Sequence, residues 1–297
     1  MKLEQWTLFI DMLGYGKING KITSESEALD FINFMKSNVT IFNNQDSEDR
    51  KKKYKESDFD LYKYYDIKVL FVSDSLIITY LPKEVNEEIN ENLRILHSAN
   101  TLFIILQRLQ TYIYNCMKEK RILVRGGISN KFSVVEDHFA VGAGIIEAYQ
   151  LESKKAIYPR IILSESICQN TKLIEALQLI TSIIYNWPSA LGDDGDGILY
   201  LDYLGYMISI ALQSRLNPNI LIPIDEFLIV HKETIEYHLE LQSQELKKLK
   251  SKKLDNQDTL KNLQGILEKY NWMKDYHNSR IKELENPKLV ERFYIKK

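Results

Sequence analysis

The spacing of apolar positions changes period repeatedly along this chain, and each change predicts a new element. Residues 6–11 (WTLFID) are an apolar run of strand length, closed by an acidic residue and a glycine-containing turn. Residues 24–39 open on candidate N-cap serines and place Leu29, Ile32, Phe34, Met35 and Val39 at helical spacing. Residues 43–65 are polar and of mixed charge, which predicts an exposed loop. Two β-rich runs, IKVLFV and LIITYL, follow within 66–82. Only Ser73, Asp74 and Ser75 separate them, a hairpin signal with turn formers at its tip. Residues 92–120 predict a long helix that is apolar around much of its girth and therefore largely buried.

Residues 121–129 (RILVRGGIS) read as a strand, 138–156 as a glycine-entered helix with Ile145, Ala148, Tyr149 and Leu151 inward, and 158–166 as another strand. The order over the first 165 residues or so is thus β-α-β-β-α-β-α-β. That order fits an α+β fold, a split β-α-β sandwich with helices on one face of an antiparallel sheet. Beyond it come a helix at 173–187, a turn-rich GDDGDG at 192–197 and a strand at 198–207. From about 225 to 284 two long helices with a polar break near Asp255 and Asn256 predict an antiparallel helical hairpin. The expected division is an α+β domain over 1–210 and a helical extension over 211–297.

Composition narrows the function classes. The 297 residues are 44% hydrophobic and 27% charged, ordinary for a soluble globular protein. A net charge of −2 creates no global field toward nucleic acid or a membrane, and the basic run KKLKSKK (247–253) reads as a solvated helix face or its end. No apolar run reaches membrane-span length and MKLEQW has no signal-peptide core, so a cytoplasmic location is the expectation. Cys116 and Cys168 make neither a disulfide framework nor a zinc spacing and are expected as buried thiols. His97, His138, His231 and His238 form no ligand cluster, and Trp272, Tyr276 and His277 read as packing anchors.

Two carboxylates stand out. Asp11 ends the first strand and Asp74 sits at the hairpin tip. With the first strand central and the hairpin beside it, the two meet at one end of the sheet. Convergent carboxylates with a backbone carbonyl suit hard cations such as Mg²⁺ or Mn²⁺. Asp also stabilises turns and caps segments, so the pattern has a purely structural explanation too. Arg125 lies in an apolar strand and needs a partner. Gly126 and Gly127 beside it imply close approach by another group. Gly142 and Gly144 could present backbone N–H groups to phosphate or simply form a turn.

These stretches resemble a known family. FIDMLGYG (9–16) resembles the first metal motif of class III nucleotidyl cyclases, and FVSDSLII (71–78) their hairpin motif. LVRGGIS (123–129) resembles the core strand that follows, and FAVGAGIIEAYQLESKKAIYPRIILSE (139–165) the glycine-led helix and return strand. The order agrees over about residues 5–165. SDSL, RGGIS, AYQLE and a late YNWMKDYHN (270–278) are further similar to bacterial Pycsar-like pyrimidine cyclases of antiphage signalling.

The resemblance implies a dimer with its active site at the interface and two Mg²⁺ or Mn²⁺ ions per site. It implies a nucleoside triphosphate substrate converted to a 3′,5′-cyclic nucleotide and pyrophosphate, and a downstream effector that reads the product. Asp11, Asp74 and the Met12 carbonyl would hold metal. Gly14, Tyr15, Gly16, Ser73 and Gly142 would border the nucleotide, and Arg125 is the candidate catalytic cation, with Lys154, Lys155 and Arg160 as further replacements. The family's helix Asn and Arg fall here on Ile146 and Gln150, which can supply neither their donor nor their charge. Its purine-recognising Lys and acidic partner fall near Leu70 and Phe139. These departures imply an unusual base preference or a catalytically inactive nucleotide- or protein-binding module. A palm-type polymerase or diguanylate cyclase would need a Gly-Gly-Asp-Glu-like turn, which SDSL is not.

Overall fold

The alternation in the first strand divides its side chains between two different surroundings. In the computed structural model, which describes residues 3–42, 52, 59–84, 90–185, 189–213, 218–251 and 257–296, β1 (Trp6–Met12) buries Trp6, Leu8, Ile10 and Met12 on one face and turns Thr7, Phe9 and Asp11 to the other. It lies between β3 (Ser75–Pro82) and β4 (Val124–Ser129), antiparallel to both. The complete sheet has the order β2-β3-β1-β4-β7-β9-β8, with β2 at Tyr65–Val72, β7 at Ile161–Leu163, β8 at Leu191–Asp193 and β9 at Leu199–Leu201. The β4–β7 pair is parallel, so the sheet is mixed.

Helices cover both faces rather than one. The long helix α4 (Glu91–Lys120) packs on the Leu8 face with α2 (Glu25–Phe42), joined to it by Asn115 donating to the Asn38 amide oxygen at 3.2 Å. The shorter α5 (Ala143–Gln150) lies over the Thr7 face. There a Cβ on Gly127 would come within 2.5 Å of the Ala148 carbonyl oxygen, so only glycine admits this helix so close. A small two-stranded ribbon, β5 (Val134–Glu136) with β6 (Phe139–Val141), leads into α5. The first residues of the expected helix, 138–142, are therefore turn and strand, and the helix starts at Ala143.

Other departures follow the same logic of burial. In α2 the buried stripe is Phe31, Phe34, Asn38 and Phe42, while Leu29 and Ile32 are exposed. Tyr149, expected inward, is 49% exposed although its ring meets Phe9 edge-on. The expected loop at 43–65 falls mostly outside the described residues. Its last part is ordered, with Phe59 buried and Asp60 capping α3 (Leu61–Tyr64) by accepting from the Tyr62 and Lys63 N–H groups. The expected strand at 198–207 is strand only over Leu199–Leu201. Asp202 then accepts from the Gly205 N–H at 3.0 Å and starts α8 (Tyr203–Gln213), which follows α6 (Glu165–Cys168) and α7 (Thr171–Tyr185). Cys116 is buried and Cys168 half-buried.

The helical hairpin is α9 (Pro218–Ser251) and α10 (Gln257–Ile281), followed by α11 (Pro287–Phe293); the polar break at 255–256 lies outside the described residues. One hydrophobic cluster runs from the sheet through α4 into this hairpin, including Phe227, Leu228, Ile235, Tyr270 and Met273. A buried polar chain ties the hairpin shut. His277 Nε2 lies 2.9 Å from the Phe293 carbonyl and therefore donates to it, which leaves His277 Nδ1 to accept from His231 Nδ1 at 2.9 Å. His231 Nε2 then accepts from the Tyr203 hydroxyl at 2.7 Å, so both rings are neutral. Burial pulls His277 down to about 4 and His231 well below the usual range, in agreement with that assignment. Among the described residues no helix is long and apolar enough to cross a membrane.

Candidate active site

Strand register brings Asp11 and Asp74 together. Asp11 pairs across the sheet with Ser75 on one side and Arg125 on the other, and the Met12 N–H donates to the Asp74 carbonyl at 3.1 Å. The hairpin closes tightly: Val72 already pairs with Ser75, leaving Ser73 and Asp74 as the turn. Ser73 takes a left-handed φ of 57°, a cost of about 1 kcal/mol for a residue with a Cβ. Asp74 lies close enough for its negative charge to raise the proton affinity of Asp11.

The same point collects further charge. The buried part of α5 continues as a π turn over Leu151–Lys155, which carries Glu152 over the sheet. Arg125 Nε donates to Glu152 Oε1 at 2.6 Å, with a second contact from its Nη2, and lies 4.0 Å from Asp11. The side chains of Asp11, Arg125 and Glu152 are only 20%, 16% and 5% exposed. Arg125 thus has the partner that its apolar strand demanded, and its charge is committed to Glu152. Burial first, then the negative charges of Glu152 and Asp74, raise Asp11 to about 6 against the pull of Arg125. This end of the sheet holds more negative charge than its one guanidinium balances.

Other expected site residues divide. Gly14 has a φ of 83° and turns the chain into α1 (Tyr15–Asn19), directly after Asp11, with Gly16 exposed. Tyr15 does not face open space: its ring packs on Phe31 of α2 at 5.6 Å. Gly142 lies elsewhere. A Cβ there would meet the Phe132 carbonyl at 2.5 Å, and the next glycine, Gly144, packs on Thr7 and donates its N–H to the Phe132 carbonyl. Thr7 is four residues from Asp11 along β1, about 13 Å at strand rise. The N-terminus of α5 is therefore at the far end of the sheet, and it is the C-terminal end that reaches Arg125. Ile146 and Gln150 are exposed on the outer side of α5, Leu70 is half-buried in β2, and Phe139 is exposed in β6.

Of the replacement cations, Lys154 and Lys155 are exposed at the end of the π turn. Arg160 is buried and bound by Asp194 and Asp196 at 2.7 and 2.6 Å. The GDDGDG segment is therefore not only a solvated turn: it supplies the counter-charges of a buried arginine, and Asp194 also accepts from the Trp272 indole N–H at 3.0 Å. Trp272 stacks on Tyr158 with centroids 5.2 Å apart and planes 3° from parallel. Two residues near the carboxylates had no role in the sequence reading. Glu152 carried a signal, an acid directly after the inward Leu151. Lys269 of α10, within electrostatic reach of Arg125, Glu152 and Asp11, carried none.

No protein-family profile and no curated protein sequence matches the chain. Solved structures similar to it include the adenylyl cyclase CyaB from P. aeruginosa, at 15% identity over 67% of this chain and 93% of that one, with a TM-score of 0.36. A mutant guanylyl cyclase domain of the RhoGC fusion protein from Blastocladiella emersonii aligns at 12% identity over 67% and 94%, TM-score 0.34. The guanylyl cyclase Cya2 aligns at 11% identity over 68% and 93%, TM-score 0.29.

Proposed function

We propose that this chain is a metal-dependent nucleotidyl cyclase that converts a nucleoside triphosphate to a 3′,5′-cyclic nucleotide and pyrophosphate. The observation that carries the reading is the meeting of Asp11 and Asp74, sixty-three residues apart in sequence, at one sheet end with surplus negative charge. The four ordered sequence motifs that resemble class III cyclases support it.

The donor set fits hard divalent cations. It is all oxygen, and a cation beside Asp11 and Asp74 would relieve the repulsion that raises the proton affinity of Asp11. Among the described residues no three or more His, Cys, Asp or Glu side chains surround one point. Asp11, Asp74 and the Met12 carbonyl would hold two Mg²⁺ or Mn²⁺ ions together with phosphate oxygens of the substrate. Bound there, the ions would lower the pKa of the ribose 3′-hydroxyl and neutralise the leaving pyrophosphate.

The chain's own groups set the geometry. β1 and the β2–β3 turn hold the two carboxylates, and Arg125 and Glu152 lock each other beside Asp11. The reaction forms the O3′–Pα bond, breaks the bond from Pα to the bridging oxygen, and releases pyrophosphate and one proton. The exposed apolar side chains Phe132 just ahead of the ribbon, Phe139 and Val141 on it, and Ile146 and Tyr149 on α5 are the surface a second copy would cover in a dimer. A pyrimidine substrate and an antiphage role, with an effector that senses the product, rest on the resemblance to Pycsar-like cyclases. The uncharged Leu70 and Phe139 at the base-reading positions are in keeping with a non-purine preference.

A second reading has an observation of its own. Ile146 and Gln150 leave α5 without a cation, and Arg125 is occupied by Glu152, which suits a module that binds nucleotide without turnover. Incubation with each of the four NTPs and Mn²⁺, followed for pyrophosphate and cyclic product, separates the two. Turnover that is lost in both Asp11→Ala and Asp74→Ala supports the cyclase; nucleotide binding with no product in any of the four refutes it in favour of the module.

A further inference from the structure

The helical hairpin does more than cover the core. It is pinned on both flanks of the carboxylate end. On one side His238 of α9 lies 2.6 Å from the Arg121 carbonyl, just ahead of β4, and stacks on Tyr270 of α10 with planes 4° apart. On the other side Trp272 of α10 stacks on Tyr158 and bonds Asp194. Glu245 of α9 reaches Lys17 of α1, in the segment that follows Asp11. One residue before the Tyr270 anchor and three before Trp272, α10 carries Lys269.

Lys269 is half-buried, yet among the described residues it makes no hydrogen bond and no ion pair. Its ammonium group lies within electrostatic reach of Arg125, Glu152 and Asp11, and burial and Arg125 lower its proton affinity. A cation held this way has lost hydration without gaining a partner. The other cations behave differently: Arg125 and Arg160 are bound by carboxylates, and Lys154 and Lys155 are exposed to water. The position is fixed, because the stacked rings of Tyr270 and Trp272, one and three residues on, hold the helix that carries it.

We propose that Lys269, supplied by the C-terminal hairpin, is a triphosphate-binding residue of the site and provides positive charge that Ile146 and Gln150 cannot. This rests on the cyclase reading for the identity of the anion. The hairpin is then part of the active site, and any displacement of α10 removes a charge from the substrate phosphates.

The test is calorimetric titration of the full chain with inorganic tripolyphosphate in saturating Mn²⁺. Wild type, Lys269→Met, Lys269→Gln, Lys269→Arg and Asp11→Asn are compared, with thermal melts to establish folding. Both neutral variants are expected to bind about tenfold or more weakly, while Lys269→Arg stays within a few-fold of wild type. Neutral variants that bind within twofold of wild type, or a wild type that does not bind tripolyphosphate, overturn the inference. The cyclase reading is judged separately, by NTP turnover and its loss in Asp11→Ala. A wild type that turns over NTP with an unaffected Lys269→Met retires the lysine and leaves the cyclase standing.

Discussion

Replacing Asp11 with Asn removes one negative charge from a place that already holds Glu152 and Asp74. The account predicts that this makes the metal-free protein more stable. The folded pKa of Asp11 is raised from its ordinary 3.8 to about 6. A carboxyl with a raised folded pKa opposes folding once it ionises: the cost is absent below about pH 4, grows between pH 4 and 6, and is complete above 6. At about 1.4 kcal/mol per pH unit the shift corresponds to roughly 3 kcal/mol. Water reaching the carboxylate reduces that to about 1–2 kcal/mol. For a chain of 297 residues such a gain raises the melting temperature by about 2–3 °C.

The assay is a pair of thermal melts in chelator at pH 7.5 and 4.5. The Asp11→Asn variant should exceed wild type at pH 7.5 and converge on it at pH 4.5. Saturating Mn²⁺ should then stabilise wild type and leave the variant nearly unchanged. A variant that melts at or below wild type in chelator at pH 7.5 would refute the claim that Asp11 is held against its own electrostatics in readiness for a cation.

Three further outcomes are expected. Arg125→Met strands the buried Glu152 carboxylate and should cost about 3 kcal/mol in urea unfolding, whereas Arg125→Met with Glu152→Leu should recover most of it; equal losses in both would mean the pair is not coupled. Gly127→Ala drives a Cβ into the Ala148 carbonyl and should cost about 1–3 kcal/mol, read by the same method, and a neutral effect would show that α5 is free to move away. His277 has a folded pKa of about 4, below its ordinary 6.5, so its contribution is full above pH 6.5 and is lost as pH falls toward 4, by roughly 3 kcal/mol. A His231→Phe/His277→Leu variant should therefore show a flatter stability profile between pH 6.5 and 4 than wild type, and an unchanged slope would contradict neutral rings.

The convergence of Asp11 and Asp74 was legible because it follows from local rules. An apolar run of strand length and a tight turn between two β-rich runs place both acids at strand ends, and a central first strand aligns those ends. The α4 helix was legible for the same reason, an apolar surface too wide for a solvent-facing helix. What was not legible depends on partners distant in sequence. Glu152 and Arg125 are twenty-seven residues apart and meet only because the π turn carries the acid back over the sheet. Lys269 looks like any lysine on a polar helix until α10 is docked. The misread strand at 198–207 did hold a clue, since Asp202 is a candidate N-cap that the aromatic and branched residues around it obscured. The helix-start position of Gly142 leaves phosphate binding and a simple turn both open, and only the direction of α5 shows that this end lies away from the acids.

Everything proposed for the chemistry depends on Asp11 and Asp74 sharing bound cations. The most direct measurement is a Mn²⁺ titration followed by electron paramagnetic resonance, in the presence of a nucleoside triphosphate, on wild type, Asp11→Asn and Asp74→Asn. The account predicts two Mn²⁺ ions per chain in wild type, magnetically coupled by their proximity, with the coupling abolished by either substitution. Wild-type stoichiometry and coupling retained in both variants would contradict it.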